Sequence, residues 1–242
     1  MHDELLARLP LFQNLAPASR QALEDQVRTL RLARSAVLFR SGDPADGLYV
    51  LLAGKVKLTK PSRQPQNNVT VTRRGRPSVP APRESLLGLI GPGEMFGELS
   101  VLDGGMRSTT ATAMLDCHLA HVPREEMLRL LDERHDVSQA MLNQMANRVR
   151  ESNDTISGLV LSDVPGRMAY LLLTLAERFG VATEHGVAVH HDLTQAELAQ
   201  MVGASRETVN KVLTDFVARQ WISMSGKSVT IHEPQRLRAR VE

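Results

Sequence analysis

The hydrophobic period of this chain changes near Pro123, and the two halves cannot be built from one kind of element. From about Val37 to Pro123 the apolar residues come in short or alternating runs. Examples are "GLYVLLAGKVKLT", "LLGLIGPGEMFGELSVL" and "ATAMLDCHLAHV", separated by Gly, Asp and Pro. Runs of that length between turn residues predict a β-sandwich or jelly roll. Beyond Pro123 the pattern is helical, and no proline occurs between Arg134 and Leu161. Residues before Val37 are also expected to be helical, anchored by Leu5, Leu9, Leu15, Leu23 and Val27.

Inside the proline-free stretch Leu142, Met145, Val149, Ser152, Ile156 and Leu159 alternate at steps of three and four, which is a coiled-coil seam and so a candidate dimer interface. Ser152 is polar on that seam, with Asn153 beside it. Such a breach either sets register or marks where the seam touches a ligand. The seam ends at "SDVPGR" (Ser162–Arg167), where Pro165 and Gly166 place a hinge. A segment that fits neither half is "KPSRQPQNNVTVTRRGRPSVPAPRES". Its five prolines, six basic residues and single acid predict a long loop within the sandwich, either solvated or acting as a basic arm.

The last third reads as a helix-turn-helix followed by a short hairpin. In "HDLTQAELAQMVGASRETVNKVLTDFVARQWI", Thr194 with Glu197 is a capping box and Ser205 is an N-cap on the far side of Gly203. Leu198, Met201 and Val202, then Val209, Val212, Leu213 and Phe216, give each helix one buried face. The following "ISMSGKSVTI" predicts a wing with its turn at Ser225–Lys227. Arg206, Glu207, Asn210 and Lys211 fall on the outward face of the second helix. Those groups can read base edges from the first turns of a helix laid in a major groove. Charge does not decide the matter. The net charge is +2, and residues 163–242 hold nine basic and nine acidic side chains, so any DNA contact rests on where the charges sit.

The stretch "MFGELSVLDGGMRSTTATA" (Met95–Ala113) sets a carboxylate, Glu98, nine residues before Arg107, with three hydroxyl residues behind the arginine. This set suits a small ligand carrying both a sugar and a phosphate: a carboxylate accepts from a hydroxyl and a guanidinium forks onto a phosphate. Other chemistries find less support. Cys117 is the single cysteine, which excludes a disulfide framework and four-cysteine metal sites. His185, His190 and His191 lack a recognised metal spacing, and Glu98, His121 and His135 lack a catalytic one, so no enzyme is expected. No apolar run is long enough to span a bilayer and no signal peptide is read at "MHDELLARLPLFQNL", so a cytoplasmic protein with no membrane partner is expected.

"FGELS" followed by "RST", the helix run "MANRVRESN", the hinge "DVPGR", and "VGASRETVNKVL" with "GKSVTI" behind it together resemble the cyclic-AMP receptor protein (CRP/FNR) family of bacterial transcription regulators. The resemblance is to its cyclic-AMP-binding branch and covers nearly the whole chain outside the proline-rich insertion. It implies an α+β protein in three parts: a cyclic-nucleotide-binding jelly roll over residues 1–133, a dimerisation helix over 134–162, and a winged helix-turn-helix over 163–242. It implies cyclic AMP as effector, double-stranded DNA and a second copy of the chain as partners, and RNA polymerase as a further partner through the loop "RFGVATEHGVAV". Carried over by motif, Glu98 would accept the ribose 2′-hydroxyl. Arg107 would pair with the cyclic phosphate, helped by Ser108 and by N–H groups near Gly97 and Leu99. The base would meet Arg148, Ser152 and Asn153. DNA would be met by Thr194, Ser205, Arg206, Glu207, Thr208, Asn210, Lys211 and Lys227. The family pattern is altered at Ser152–Asn153, often Thr-Ser, at Gln195, commonly basic, and at Lys211, often Arg. The resemblance leaves open a same-fold regulator that answers another effector or none.

Overall fold

The computed structural model describes residues 15–61, 70–71, 77–78, 84–161 and 163–241. Leu5, Leu9, most of the proline-rich insertion, Ser162 and the side chain of Leu159 lie outside the described residues. The chain divides into two compact units, with the boundary between Asn143 and Gln144.

The first unit is a sandwich of two antiparallel four-stranded sheets. One has the order β1 (Arg28–Leu32), β10 (Cys117–Pro123), β3 (Gly47–Ala53), β8 (Met95–Phe96). The other has the order β2 (Val37–Phe39), β9 (Thr110–Ala113), β4 (Val56–Pro61), β7 (Glu84–Ile90). The core lies between them. Tyr49, Leu51, Phe96, Cys117 and Leu119 from the first sheet meet Phe39, Val56, Leu58, Ile90, Ala111 and Ala113 from the second. Period-2 alternation is what supplies these inward side chains. Cys117 sits in a strand; burial pushes its thiol up, and the thiol donates to the carbonyls of Lys55 and Leu115.

Three expectations need correction. Residues up to Val37 are not all helical: α1 is Pro17–Glu24, and β1 follows it, paired along its length from Arg28 opposite His121 to Leu32 opposite Cys117. A strand that completes an adjacent sheet overrides a local helical pattern. The run "LLGLIGPGEMFGELSVL" is not all strand either. After β7 and β8 the chain turns through Gly97, in the left-handed region at φ 81°, into the one-turn helix α2 (Glu98–Leu102). And "RFGVATEHGVAV" is no simple loop: β11 (Gly180–Thr183) and β12 (Gly186–His190) form a hairpin within it. Two further strands of two residues each, β5 (Thr70–Val71) and β6 (Pro77–Ser78), pair inside the insertion.

Helix α3 (Arg124–Glu133) packs over β3 and β10. Helix α4 (His135–Leu161) then runs 27 residues, about 40 Å at the α-helical rise. Its first turn ties back to the sandwich unit: the Asp136 carboxylate accepts the Ala16 N–H at 2.9 Å and the Ser19 hydroxyl at 2.8 Å. Three seam residues seven apart, Leu142, Val149 and Ile156, are 62%, 59% and 59% exposed.

In the second unit the helix break falls where the sequence places it. α4 ends at Leu161 and α5 (Val164–Phe179) begins with Pro165 in its first turn, a position that needs no N–H donor. The unit continues with β11 and β12, α6 (Gln195–Met201), α7 (Arg206–Ala218), β13 (Ile222–Ser225), β14 (Ser228–Ile231) and α8 (Pro234–Val241). Its four strands form one sheet in the order β11, β12, β14, β13, so the wing hairpin is joined to the hairpin after α5. No helix among the described residues is long and apolar enough to cross a membrane.

Candidate ligand and nucleic-acid sites

In the sandwich unit the sequence-designated cassette converges. Gly97 caps α2, Glu98 opens it, and Arg107 returns from the loop before β9; Glu98 and Arg107 are 1% and 2% exposed. The Arg107 backbone is fixed on both sides of the β2–β3 loop: its N–H donates to Asp43 O, and its own carbonyl accepts from the Gly42 N–H, each at 2.8 Å. Its guanidinium is held by an acceptor on nearly every side. Nη1 donates to Gly97 O at 2.6 Å, with Ser100 Oγ at 3.5 Å. Nη2 donates to Asp46 Oδ1 at 2.5 Å and Gly47 O at 2.6 Å. Its Cζ lies 4.3 Å from the Phe39 ring centroid and 5.6 Å from that of Tyr49. Burying an arginine is tolerable only with this kind of pairing and stacking.

Gly97 is required for the cassette twice over. Its φ of 81° disfavours any side chain, and a Cβ there would stand 2.7 Å from Arg107 Nη1. The residues present are of the kinds that fit a sugar-phosphate ligand: a buried carboxylate opens α2, and a buried guanidinium reaches the backbone just before it, where Gly97 has no side chain. Leu99 and Ser108 flank them on the exposed side. Arg148, Ser152 and Asn153 lie on α4 in the second unit, where the Ser152 hydroxyl donates to Arg148 O at 2.8 Å.

Sequence reasoning missed Asp46, Phe39, Tyr49 and Ser100. Asp46 is the anion of the cluster. Burial alone would raise its pKa, but hydrogen bonds from the Tyr49 hydroxyl (2.7 Å) and from Arg107 outweigh that and hold it below the usual carboxylate range. Burial and the same Asp46 contact push the Tyr49 phenol well up. His121 stacks on Tyr49 at 4.8 Å, and burial depresses its pKa. A depressed carboxylate contributes stability that is complete above its unfolded pKa, about 3.9, and is lost as pH falls through the lower folded value. Asp46→Asn is accordingly expected to flatten the acid limb of a Tm-against-pH curve and to leave its neutral shape alone. Parallel acid limbs in thermal melts of the two proteins would refute this.

The second unit presents the helix-turn-helix as the caps predict. Thr194 and Glu197 form the reciprocal capping box, and the Ser205 hydroxyl accepts the Thr208 N–H at 3.1 Å. Val209, Val212, Leu213 and Phe216 are buried, whereas Arg206, Glu207, Asn210 and Lys211 are exposed on the opposite face of α7. The wing turn is at Gly226–Lys227, and the Lys227 carbonyl accepts the N–H groups of His191 (3.2 Å) and Asp192 (3.3 Å). Those bonds draw the wing against the entry to α6. A cleft of about 400 Å³ results, lined by Thr194, Gln195, Arg206, Gly226 and Lys227 among others. Its polar groups and two cations suit a phosphate backbone. One contact was not foreseen: Gln195 Nε2 donates to Asn210 Oδ1 at 3.0 Å, joining the two helices on their exposed side. The histidines are dispersed: His190 bonds Ser228 at the surface while its neighbour His191 is buried and accepts the Leu193 N–H at 3.0 Å. No metal-binding cluster occurs among the described residues.

Comparison with known proteins finds a match in each of the two units. A profile of the cyclic nucleotide-binding domain matches residues 29–134, and one of the Crp-like helix-turn-helix domain matches residues 166–240. The chain is 41% identical over 238 residues to the CRP-like cAMP-activated global transcriptional regulator of Mycobacterium tuberculosis, covering 98% of this chain and 99% of that one. It is 30% identical over 224 residues to the cyclic AMP receptor protein of Thermus thermophilus, covering 93% of each. The fold also matches the c-di-GMP responsive global regulator CLP of Xanthomonas campestris, with a TM-score of 0.69 and 23% identity over 90% of this chain and 99% of that one. These matches, with a nucleotide cassette and a winged helix-turn-helix in one chain, identify it as a transcription regulator rather than an enzyme and a member of the CRP/FNR family.

Proposed function

We propose that the protein is a cyclic-AMP-responsive, sequence-specific regulator that acts as a homodimer in the cytoplasm. The observation that carries this is the burial of both Glu98 and Arg107 in the sandwich unit of a chain that also presents Arg206, Glu207 and Lys211 on a capped recognition helix. In this reading Glu98 accepts the ribose 2′-hydroxyl, and Arg107, with Ser108 and N–H groups near Gly97 and Leu99, takes the cyclic phosphate. Arg148, Ser152 and Asn153 are assigned the base. The name of the Mycobacterium tuberculosis relative supports cyclic AMP as the effector. Ligand shifts a pre-existing equilibrium toward the form in which two recognition helices match successive major grooves, about 34 Å apart. The hairpin β11–β12 is assigned to RNA polymerase on the family resemblance.

A second reading keeps the DNA binding and changes the effector, since the CLP regulator is described as c-di-GMP responsive. One experiment separates the two. Anisotropy of a labelled palindromic duplex is followed at fixed salt without nucleotide, then with cyclic AMP, cyclic GMP or c-di-GMP, for the native chain and Arg107→Ala. Specific binding that needs cyclic AMP and disappears in the variant supports the proposal. Binding indifferent to every nucleotide and to Arg107 leaves only the helix-turn-helix.

The dimer makes its own prediction. Leu142, Val149 and Ile156 expose one apolar seam on α4, and a second copy of the helix would cover it. Val149→Asp combined with Ile156→Asp is expected to give a monomer in sedimentation equilibrium. Loss of the second half-site should then weaken operator binding by more than tenfold, because two linked contacts become one. A doubly substituted protein that still sediments as a dimer refutes the seam.

A further inference from the structure

The hinge motif holds an arginine assigned to neither site, and two of its bonds reach the helix-turn-helix. Arg167 is in the first turn of α5. Its Nε donates to the Val202 carbonyl at 2.7 Å, and its Nη2 lies 3.4 Å from the Gly203 carbonyl. Val202 is the C-cap of α6, and Gly203, at φ 62°, carries the turn that leads to the N-cap Ser205 of α7. The last carbonyls of a helix have no partner inside it, and a cation there is favoured by the helix dipole. A planar guanidinium can span two adjacent carbonyls, which a single ammonium cannot do in the same geometry.

The rest of the motif is anchored in the same unit. Asp163 Oδ1 accepts the Gly166 N–H at 2.8 Å and so caps α5, while its Oδ2 accepts Arg240 Nη2 of α8 at 2.5 Å. Resting on the DNA-reading role of this unit, we propose that Arg167 is a positioning residue for the recognition helix. It bolts the first turn of α5 to the turn between α6 and α7, so that α7 keeps one angle to α5 and follows any rotation at the hinge as part of a single body. Base readout then depends on a side chain that does not touch DNA.

Three properties of this role differ from those of a DNA contact or a core residue. Loss of the tie leaves the charges facing phosphate unchanged, so sequence-independent affinity and its salt slope stay as they are. It misaims base-reading side chains, so discrimination falls. And part of the function returns with a residue that keeps one donor and the charge.

The test uses the full chain with saturating cyclic AMP. The preferred site of the native protein is first selected from a randomised duplex library. Dissociation constants are then measured on that site and on a random duplex of equal length, between low and high salt, for the native chain, Arg167→Ala and Arg167→Lys. The expected result for Arg167→Ala is at least about a tenfold loss on the selected site, comparable with one lost bidentate base contact. Affinity for the random duplex and its salt slope should be unchanged, and Arg167→Lys should recover part of the loss. Thermal melts establish that each variant is folded at the assay temperature. Equal losses on both duplexes, a salt slope lower by about one unit, as for a lost phosphate contact, or no loss at all would overturn the inference. A control, Arg206→Ala, keeps the two questions apart. If it loses discrimination while Arg167→Ala does not, the DNA-reading role stands and the positioning role falls. If the native chain selects no site, the DNA-reading role falls and the inference falls with it.

Discussion

Arg107→Lys should lower the affinity for cyclic AMP at least about 100-fold, on the order of 3 kcal/mol, in isothermal titration, because the forked contact proposed for the phosphate becomes a point-charge one. Lysine keeps the charge but cannot fork. The effect is large because the site is built around the guanidinium: Gly97 O, Gly47 O and Asp46 accept from it, and Phe39 and Tyr49 flank it. Those same groups lose their donors in the variant, so stability should drop as well, by about 1–3 kcal/mol for a buried group left without its partner. A second substitution approaches Arg107 from the backbone side. Gly97→Ala retains every polar group but forces a side chain into a left-handed backbone, about 1–2 kcal/mol of strain. It also sets its methyl at 2.7 Å from Arg107 Nη1. It should therefore weaken binding by displacing Arg107. Lysine binding cyclic AMP as tightly as arginine does would remove Arg107 from the ligand site.

The parts of this molecule that were legible in its sequence are those whose causes are local. The breaks at Pro165 and Gly203, the capping box at Thr194 and the N-cap at Ser205 depend on residues within four positions of each other, and each lies where it was expected. The buried faces of α6 and α7 follow from a 3.6-residue period that any register preserves. What was not legible depends on distant partners. β1 is a strand because β10, some ninety residues later, offers it an edge, and nothing in "RTLRL" announces that edge. Arg107 was found through its motif, yet its anion Asp46 lies 61 residues away. The only hint was an acid in the turn "GDPADG" just before a buried strand. Gln195 and Asn210 were read separately, as a departure at a commonly basic position and as a base reader; their bond appears only when α6 and α7 are set side by side.

Arg206→Ala is expected to cost about 1–3 kcal/mol per half-site in operator binding and to relax a single base position in each half, because a bidentate fork onto guanine O6 and N7 is lost. Its position argues for this. Arg206 is the first residue of α7, directly after the Ser205 cap, exposed and on the lining of the cleft that also holds Lys227. The backbone beneath it is held by the cap, so truncating the side chain should leave the helix in place. Lys227 supplies the contrast. It sits on the wing turn, fixed by two N–H groups on its carbonyl, with a point charge suited to phosphate rather than to a base edge. Lys227→Ala should weaken all duplexes alike and reduce the salt slope by about one unit per subunit contact. Selection from a randomised duplex library, followed by affinity measurements across salt, tells the two residues apart. If Arg206→Ala weakened every sequence equally, α7 would be gripping the backbone, and the discrimination would have to come from Glu207, Asn210 and Lys211.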